Sequence, residues 1–325
     1  MIKPIIINEM ANNIVYMGSP EFTLPVLESL LKMGNDIVGV YTQPDKVMGR
    51  GLRYQQSAVK QLAEQKELRV IQPKSLKSEV VKTELKELSP DVIVIAAYGQ
   101  ILPKDVLTIP NRGCINIHPS LLPRHRGPSP VANTFLEGDK VAGVTIMLLD
   151  EGLDTGPILA SEEHEVYQWD TTETLTERLF REGAKLLETV LPRHLQGTIQ
   201  PRAQEAEKAT YSRKLKKEDG YLIWNLPAEK IWNKVRGLSP WPGTYTYWNG
   251  KLLKILRTIP IGSQENKENI GKIISLGESA EAPIGVVTAK GFLGLLEMQM
   301  EGKNKLRSEE FVRGYQQFVG SVLPS

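Results

Sequence analysis

Two polar residues spaced two apart in an apolar run are the first sign of chemistry in this chain. In CINIH (114–118), Asn116 and His118 alternate with isoleucines, and the two-residue period of a strand puts both side chains on one face. An amide can donate to an oxygen that is gathering negative charge, and an imidazole can move a proton near neutral pH. A Gly-punctuated stretch, LLDEGLDTGP (148–157), then supplies Asp150, Glu151 and Asp154. Donor, titratable ring and carboxylate together suit proton transfer and oxyanion stabilisation. Each also has an ordinary structural reading: Asn116 capping a turn, His118 satisfied at a strand end, Asp154 in an Asx turn.

Other chemistries are poorly represented. No G-x-x-x-x-G-K-[ST] occurs, and no G-x-G-x-x-G follows the first strand; the Gly-x-Gly at Gly49 and Gly51 stands alone in a loop. The only thiol, Cys114, sits inside an apolar run and reads as a buried structural residue, which excludes a disulfide framework. His118, His125, His164 and His194 lack the H-x-x-x-H or H-E-x-x-H spacing of metal ligands, so no metal is expected.

These residues need a scaffold, and the first half of the chain spells one. IVYMG (14–18), DIVGVYT (36–42), DVIVIAAYG (91–99), GCINIHPS (113–120) and GVTIMLLD (143–150) read as strands. Helices are expected from Ser19-Pro20-Glu21 to Gly34, over 56–66 and 78–88, and over 171–194. Apolar strands alternating with amphipathic helices imply crossover connections, hence a doubly wound α/β domain with a mostly parallel sheet. Ligands of such sheets bind at the carboxyl ends of the strands, where Asn116 and His118 stand.

After a polar stretch, QGTIQPRAQEAEKA (196–209), the texture changes. YLIW, GTYTYW, LLKILRTIP, GKIISLG, PIGVVTAKG and FLGLLEMQM are short strand candidates between turns, with a helix expected near 308–318. That pattern suggests a small β-barrel or sandwich. The expected organisation is an extension over 1–12, a catalytic domain over 13–195, a linker over 196–209 and a basic β-rich domain over 210–325. Residues 1–12 lack the apolar length and cleavage site of a signal peptide, and Met10 is a second candidate start.

Composition fits two domains. The 325 residues carry 40 basic and 38 acidic side chains, a net +2. The balance is uneven: residues 208–325 hold 18 Lys+Arg against 11 Asp+Glu (+7), leaving 22 against 27 (−5) before them. A basic module suits a phosphate-rich partner, or simply keeps the protein soluble. No apolar run approaches the roughly 20 residues of a membrane helix, so no membrane partner is expected. One thiol and no targeting signal point to the cytoplasm.

Between the Asn-x-His strand and the Asp154 loop lies SLLPRHRGPSP (120–130), a loop stiffened by three prolines. Asn116-x-His118, SLLPRHRG and DEGLDTGP together resemble the folate-dependent formyltransferases, and the resemblance covers nearly the whole chain. YTQPDKVMGRG (41–51), AYGQILP (97–103), SPWPGTY (239–245) and the basic C-terminal part are similar to the branch that formylates methionyl-initiator tRNA. PSP (128–130), where that loop commonly reads AAP, and the N-terminal extension are modest departures.

The resemblance implies a catalytic trio of Asn116, His118 and Asp154. It implies formyl transfer from 10-formyltetrahydrofolate to a free amine, with Asn116 holding the oxygen, His118 moving the proton, and Asp154 stabilising the imidazolium and ordering a water. Ser120, Leu121, Leu122 and Pro123 with Gln100, Ile101 and Leu102 would line the folate site. The Gln43–Tyr54 connection would enter the tRNA acceptor stem, with Arg50 as the key contact beside Lys46 and Arg53. An OB-like C-terminal barrel would contact tRNA, with Lys214, Lys216 and Lys217 at its start. A monomer is expected. Formyl transfer to a sugar-nucleotide amine, and an RNA-binding protein without activity, are the alternatives; the intact trio speaks against the second.

Overall fold

The computed structural model describes residues 12–48, 53–277 and 281–324. The first part runs β1 (Asn13–Gly18), α1 (Leu24–Lys32), β2 (Asp36–Tyr41), β3 (Lys46–Met48), β4 (Arg53–Gln55), α2 (Ala58–Gln65), β5 (Val70–Ile71), α3 (Glu79–Glu87), β6 (Val92–Ala96), α4 (Lys104–Leu107), β7 (Cys114–His118), α5 (Pro130–Glu137), β8 (Val141–Leu148), β9 (Ile158–Glu165) and α6 (Thr172–Leu195). The second continues with α7 (Ala228–Gly237), β10 (Thr244–Trp248), β11 (Lys251–Glu265), β12 (Ile273–Ser275), β13 (Ile284–Val287), β14 (Lys290–Met300), β15 (Lys305–Arg307) and α8 (Ser308–Gly314).

Two compact units interleave along the chain. The first takes the described residues up to Gly127, then Ala142–Glu165 and Thr176–Tyr211. The second takes Pro128–Val141, Val166–Leu175 and the chain from Ser212 onward.

In the first unit seven strands form one sheet, β5-β2-β1-β6-β7-β8-β9. The pairs from β5 to β7 are parallel, while β7 and β8 are antiparallel. Alternation sorts the side chains. Ile14, Tyr16, Val94, Ile115 and Ile117 belong to a core shared with α1 and α6, while Val15, Met17, Ile93, Ile95 and Cys114 pack on the other face with Leu76 and Leu85. Asn116 and His118 share the parity of Cys114, so they lie on that second face. The strand order reverses between β1 and β6, the switch point at which open parallel sheets bind ligands.

The second unit is built on an antiparallel sheet, β10-β11-β14-β13-β12, with β15 beside β14. No pairing closes this sheet into a barrel among the described residues. Its core gathers Trp224, Trp232, Trp248, Leu253, Leu293, Leu295, Phe311 and Phe318. Helices α5 and α7 have no counterpart among the expected elements. Pro130, in the PSP departure, opens α5 at the first helical position, where its missing N–H costs nothing.

YLIW (221–224) keeps the burial of a strand without its ladder. Leu222 and Trp224 are buried and Ile223 is exposed, yet only Tyr221 bridges to Tyr245 before Pro227 leads into α7. The helix expected over 308–318 is interrupted at Tyr315, with a 3-10 turn over Gln316–Phe318.

Candidate active site

The site forms where β7 ends. His118 pairs in register with Thr145 of β8, and Asn116 with Met147. The chain then turns back through Ser120, whose hydroxyl lies 3.0 Å from His118 Nδ1 and donates to Arg124 O at 2.7 Å. A hydroxyl has one hydrogen, so Ser120 can only accept from the ring. Nδ1 is therefore the protonated nitrogen of the neutral imidazole, an assignment drawn from the hydrogen-bond network. Nε2 is left to face the site.

Opposite Nε2 stands Asp154, its Oδ2 3.3 Å away. The carboxylate lies off the line of a good hydrogen bond, and Nε2 has no aligned partner among the described residues. This is an ion-pair geometry awaiting a proton. Burial by itself pushes the Asp154 carboxyl up. His118, the Gly127 N–H and the Arg126 guanidinium outweigh it, and the net pKa lies below the ordinary carboxylate value. The Gly127 N–H donates to Oδ2 at 2.7 Å.

Asp154 adopts a left-handed backbone, φ 53°, which Asp tolerates better than most residues. The loop is tight: Asp150 Oδ1 accepts from the Gly152 N–H at 3.0 Å and the Thr155 hydroxyl at 2.7 Å. A Cβ on Gly156 would stand 2.0 Å from Leu148 O, so no other residue fits there. Asn116 is half-buried, and among the described residues no protein group bonds to its side-chain amide. Its donors are open to a ligand.

Ser120, Leu121, Leu122 and Pro123 act first as anchors. Thr145, which sequence reading passes over inside its apolar strand, clamps this loop: Oγ1 donates to Ser120 O at 2.6 Å and accepts the Leu122 N–H at 3.2 Å. Leu122 is buried with Met147 and Ile158, and Leu121 packs where a side chain on Gly143 would otherwise be.

The 97–102 loop is different. Gln100 is committed at both ends of its amide, to Pro73 O at 3.1 Å and the Leu76 N–H at 3.3 Å. Ile101 is 93% exposed, and among the described residues the N–H groups of Gln100, Ile101 and Leu102 bond to no protein group. Because β6 and β7 are parallel, this loop and the 120–123 loop leave the same edge of the sheet. Unpaired backbone donors beside an exposed aliphatic face suit a flat heterocycle with polar edges.

Lys46 and Arg53 stand on the antiparallel pair β3–β4, and Arg50 lies outside the described residues. The foot of that hairpin is tied down: Gln72 donates to Gln43 O at 2.8 Å and Asp45 at 2.7 Å, Lys60 pairs with Asp45 at 2.7 Å, and Gln43 donates to Tyr98 O at 2.9 Å.

A mostly parallel sheet with an imidazole and a carboxylate meeting at the end of β7, and an amide two residues earlier on the same face, suits a group-transfer enzyme of the formyl transferase class. The formyl transferase profile matches residues 12–191, and that of its C-terminal domain residues 214–316. A methionyl-tRNA formyltransferase of Caldanaerobacter subterraneus subsp. tengcongensis is 42% identical, covering 95% of this chain and 99% of that protein. Among solved structures, a methionyl-tRNA formyltransferase from Clostridium thermocellum has TM-score 0.52 at 21% identity, over 76% of this chain and 93% of that one. An N-formyltransferase from Helicobacter canadensis, in complex with folinic acid and dTDP-3-aminofucose, has TM-score 0.63 at 18% identity over 91% and 100%. At such identities the structures speak for the fold alone. The chain belongs to the formyl transferase family, on its methionyl-tRNA formyltransferase branch.

Proposed function

We propose that this protein transfers the formyl group of 10-formyltetrahydrofolate to the amino group of methionyl-initiator tRNA, with Asn116, His118 and Asp154 as its catalytic residues. The observation that carries this is the fixed direction of His118: Ser120 accepts from Nδ1, so Nε2 is the basic nitrogen, and it faces Asp154 at 3.3 Å.

The residues divide the work. The incoming amine must be unprotonated to attack, and it must lose a further proton as the new C–N bond forms. His118 Nε2 takes that proton. The positive ring then stands against Asp154, which is already ionised because its pKa is lowered. Asn116 donates to the formyl oxygen as it gains negative charge; losing one such donor costs roughly 10²–10³-fold in rate. As the old C–N bond breaks, the proton held at His118 returns to the departing nitrogen, so protons balance over the cycle.

The open N–H groups of 100–102 and the exposed Ile101 support this edge as the site of the folate ring, with Gln100 and Leu102 setting the loop. Ser120, Leu121, Leu122 and Pro123 would form its other wall, Ser120 and Leu122 by positioning backbone. Lys46, Arg50 and Arg53 on the 43–54 connection are the proposed acceptor-stem contacts. The C-terminal sheet would serve RNA as an OB-like open barrel; its +7 balance supports this. The three catalytic residues are all supplied by a single chain, so a monomer would suffice for the reaction, and a role in translation initiation fits the cytoplasm.

The test is formyl transfer from 10-formyltetrahydrofolate to methionyl-initiator tRNA, run beside a sugar-nucleotide amine. Preference for the tRNA by at least about 10³-fold in kcat/KM is expected. Equal or better use of the sugar amine would overturn the assignment.

A further inference from the structure

We infer that Gln204 and Arg126 are positioning residues of the transfer site, acting through Asp154; the inference rests on the formyl-transfer reading above. Gln204 lies in the polar stretch that reads as a linker, 50 residues from Asp154. Its amide nitrogen donates to Asp154 O at 2.9 Å and to Gly156 O at 2.7 Å. Its amide oxygen accepts from Arg126 Nε at 3.1 Å and Nη2 at 2.8 Å. Two donors and two acceptances fill the hydrogen-bonding capacity of a primary amide.

Arg126 is itself held. It is 4% exposed, Nη1 donates to the Tyr211 hydroxyl at 3.3 Å, and the guanidinium lies 6.0 Å from the Tyr211 ring centre. The residue after it, Gly127, donates its N–H to the Asp154 carboxylate. One assembly therefore grips Asp154 by backbone carbonyl and by carboxylate, and places a buried positive charge nearby.

Asp154 needs such a grip, because its left-handed backbone does not enforce itself. The rest of the polar stretch is pinned in the same way. Arg202 and Ile158 exchange backbone bonds at 2.8 Å, Thr210 O accepts the Arg126 N–H at 2.9 Å, and Thr210 Oγ1 accepts the His125 N–H at 2.8 Å. A segment that only spanned a gap would not run zipped along the floor of the site.

The test uses the full-length enzyme with Gln204→Met, which keeps the volume and loses all four hydrogen bonds, and Gln204→Glu, which keeps acceptance from Arg126 and loses both donations. Both are expected to lower kcat about 10–100-fold, with KM for folate and for tRNA within about twofold and the melting temperature little changed. The acidic limb of the kcat–pH profile should move upward in Gln204→Met, as Asp154 is freed from Arg126. In an Asp154→Asn background, Gln204→Met should change the residual single-turnover rate less than twofold. Wild-type kcat in both variants, a loss carried by KM or by unfolding, or full additivity with Asp154→Asn would each overturn the inference. Should Asp154→Asn alone leave activity intact, the fault would lie instead with the catalytic reading on which this rests.

Discussion

Around β7 the charged groups are shielded and tied into hydrogen bonds: His118 is 5% exposed, Arg126 donates to Gln204, and the Gly127 N–H donates to Asp154. At the start of the C-terminal part, Lys214, Lys216 and Lys217 are all exposed. Nearby Arg213 is held by Asp219 through two bonds at 2.8 and 2.6 Å, and in turn holds that carboxyl down at about 2. The contrast separates two uses of charge. Chemistry on one carbon needs direction, which burial and hydrogen bonds supply. A long polyanion needs excess charge within reach, which exposed lysines could supply at little cost in stability.

The comparison breaks most easily at the buried end. Asn116→Ala, His118→Ala and Asp154→Ala should each lower kcat by at least about 10²-fold, with circular dichroism and melting temperature close to wild type. A variant that keeps near-normal turnover would remove its residue from the mechanism.

Raising salt probes the exposed end. Binding of methionyl-tRNA should weaken steeply as salt rises, while folate binding changes little. Replacing Lys214, Lys216 or Lys217 by Ala should reduce the slope of log K against log salt by about 0.7–0.9 for each phosphate no longer neutralised, leaving kcat at saturating tRNA unchanged. A flat salt response would take phosphate recognition away from this surface.

The smallest effect is in stability. Asp154 has a depressed pKa in the folded state, so its ionised form stabilises the fold above the unfolded value near 3.9, and that contribution disappears as pH falls through the folded pKa. The difference in urea-unfolding free energy between wild type and Asp154→Asn should narrow below about pH 4. A gap independent of pH would show that the carboxylate's ionisation adds nothing to the fold.

Much of the site could be read from the chain because it obeys local rules. The strand period put Asn116 and His118 together, and glycines marked the Asp154 loop. Those signals act over a few residues. Gln204 gave none, since a lone polar residue in an aperiodic stretch says nothing about a partner 50 positions away. Thr145 was hidden for the opposite reason, being β-branched in a strand that favours such residues. Five of the seven strands of the first unit's sheet were legible from their apolar runs, although β5, β9 and the antiparallel turn of β8 against β7 were not. YLIW shows the limit clearly: period-two burial survives in it without ladder pairing, and hydropathy reports burial only. In α7, Ile231, Trp232 and Val235 recur at helical spacing, and that signal was available.

The excursion of Pro128–Val141 into the second unit limits how the gene can be cut. Arg236 on α7 lies 4.8 Å from the ring centre of Phe135 and donates to Tyr167 O at 2.9 Å, so the later half leans on two inserts encoded upstream. A fragment starting at Ser212 would leave that guanidinium without either neighbour, and one ending before it would carry α5 without its packing partner. Neither half is an independent cassette, and any swap of the second unit between relatives must carry three pieces of chain at once.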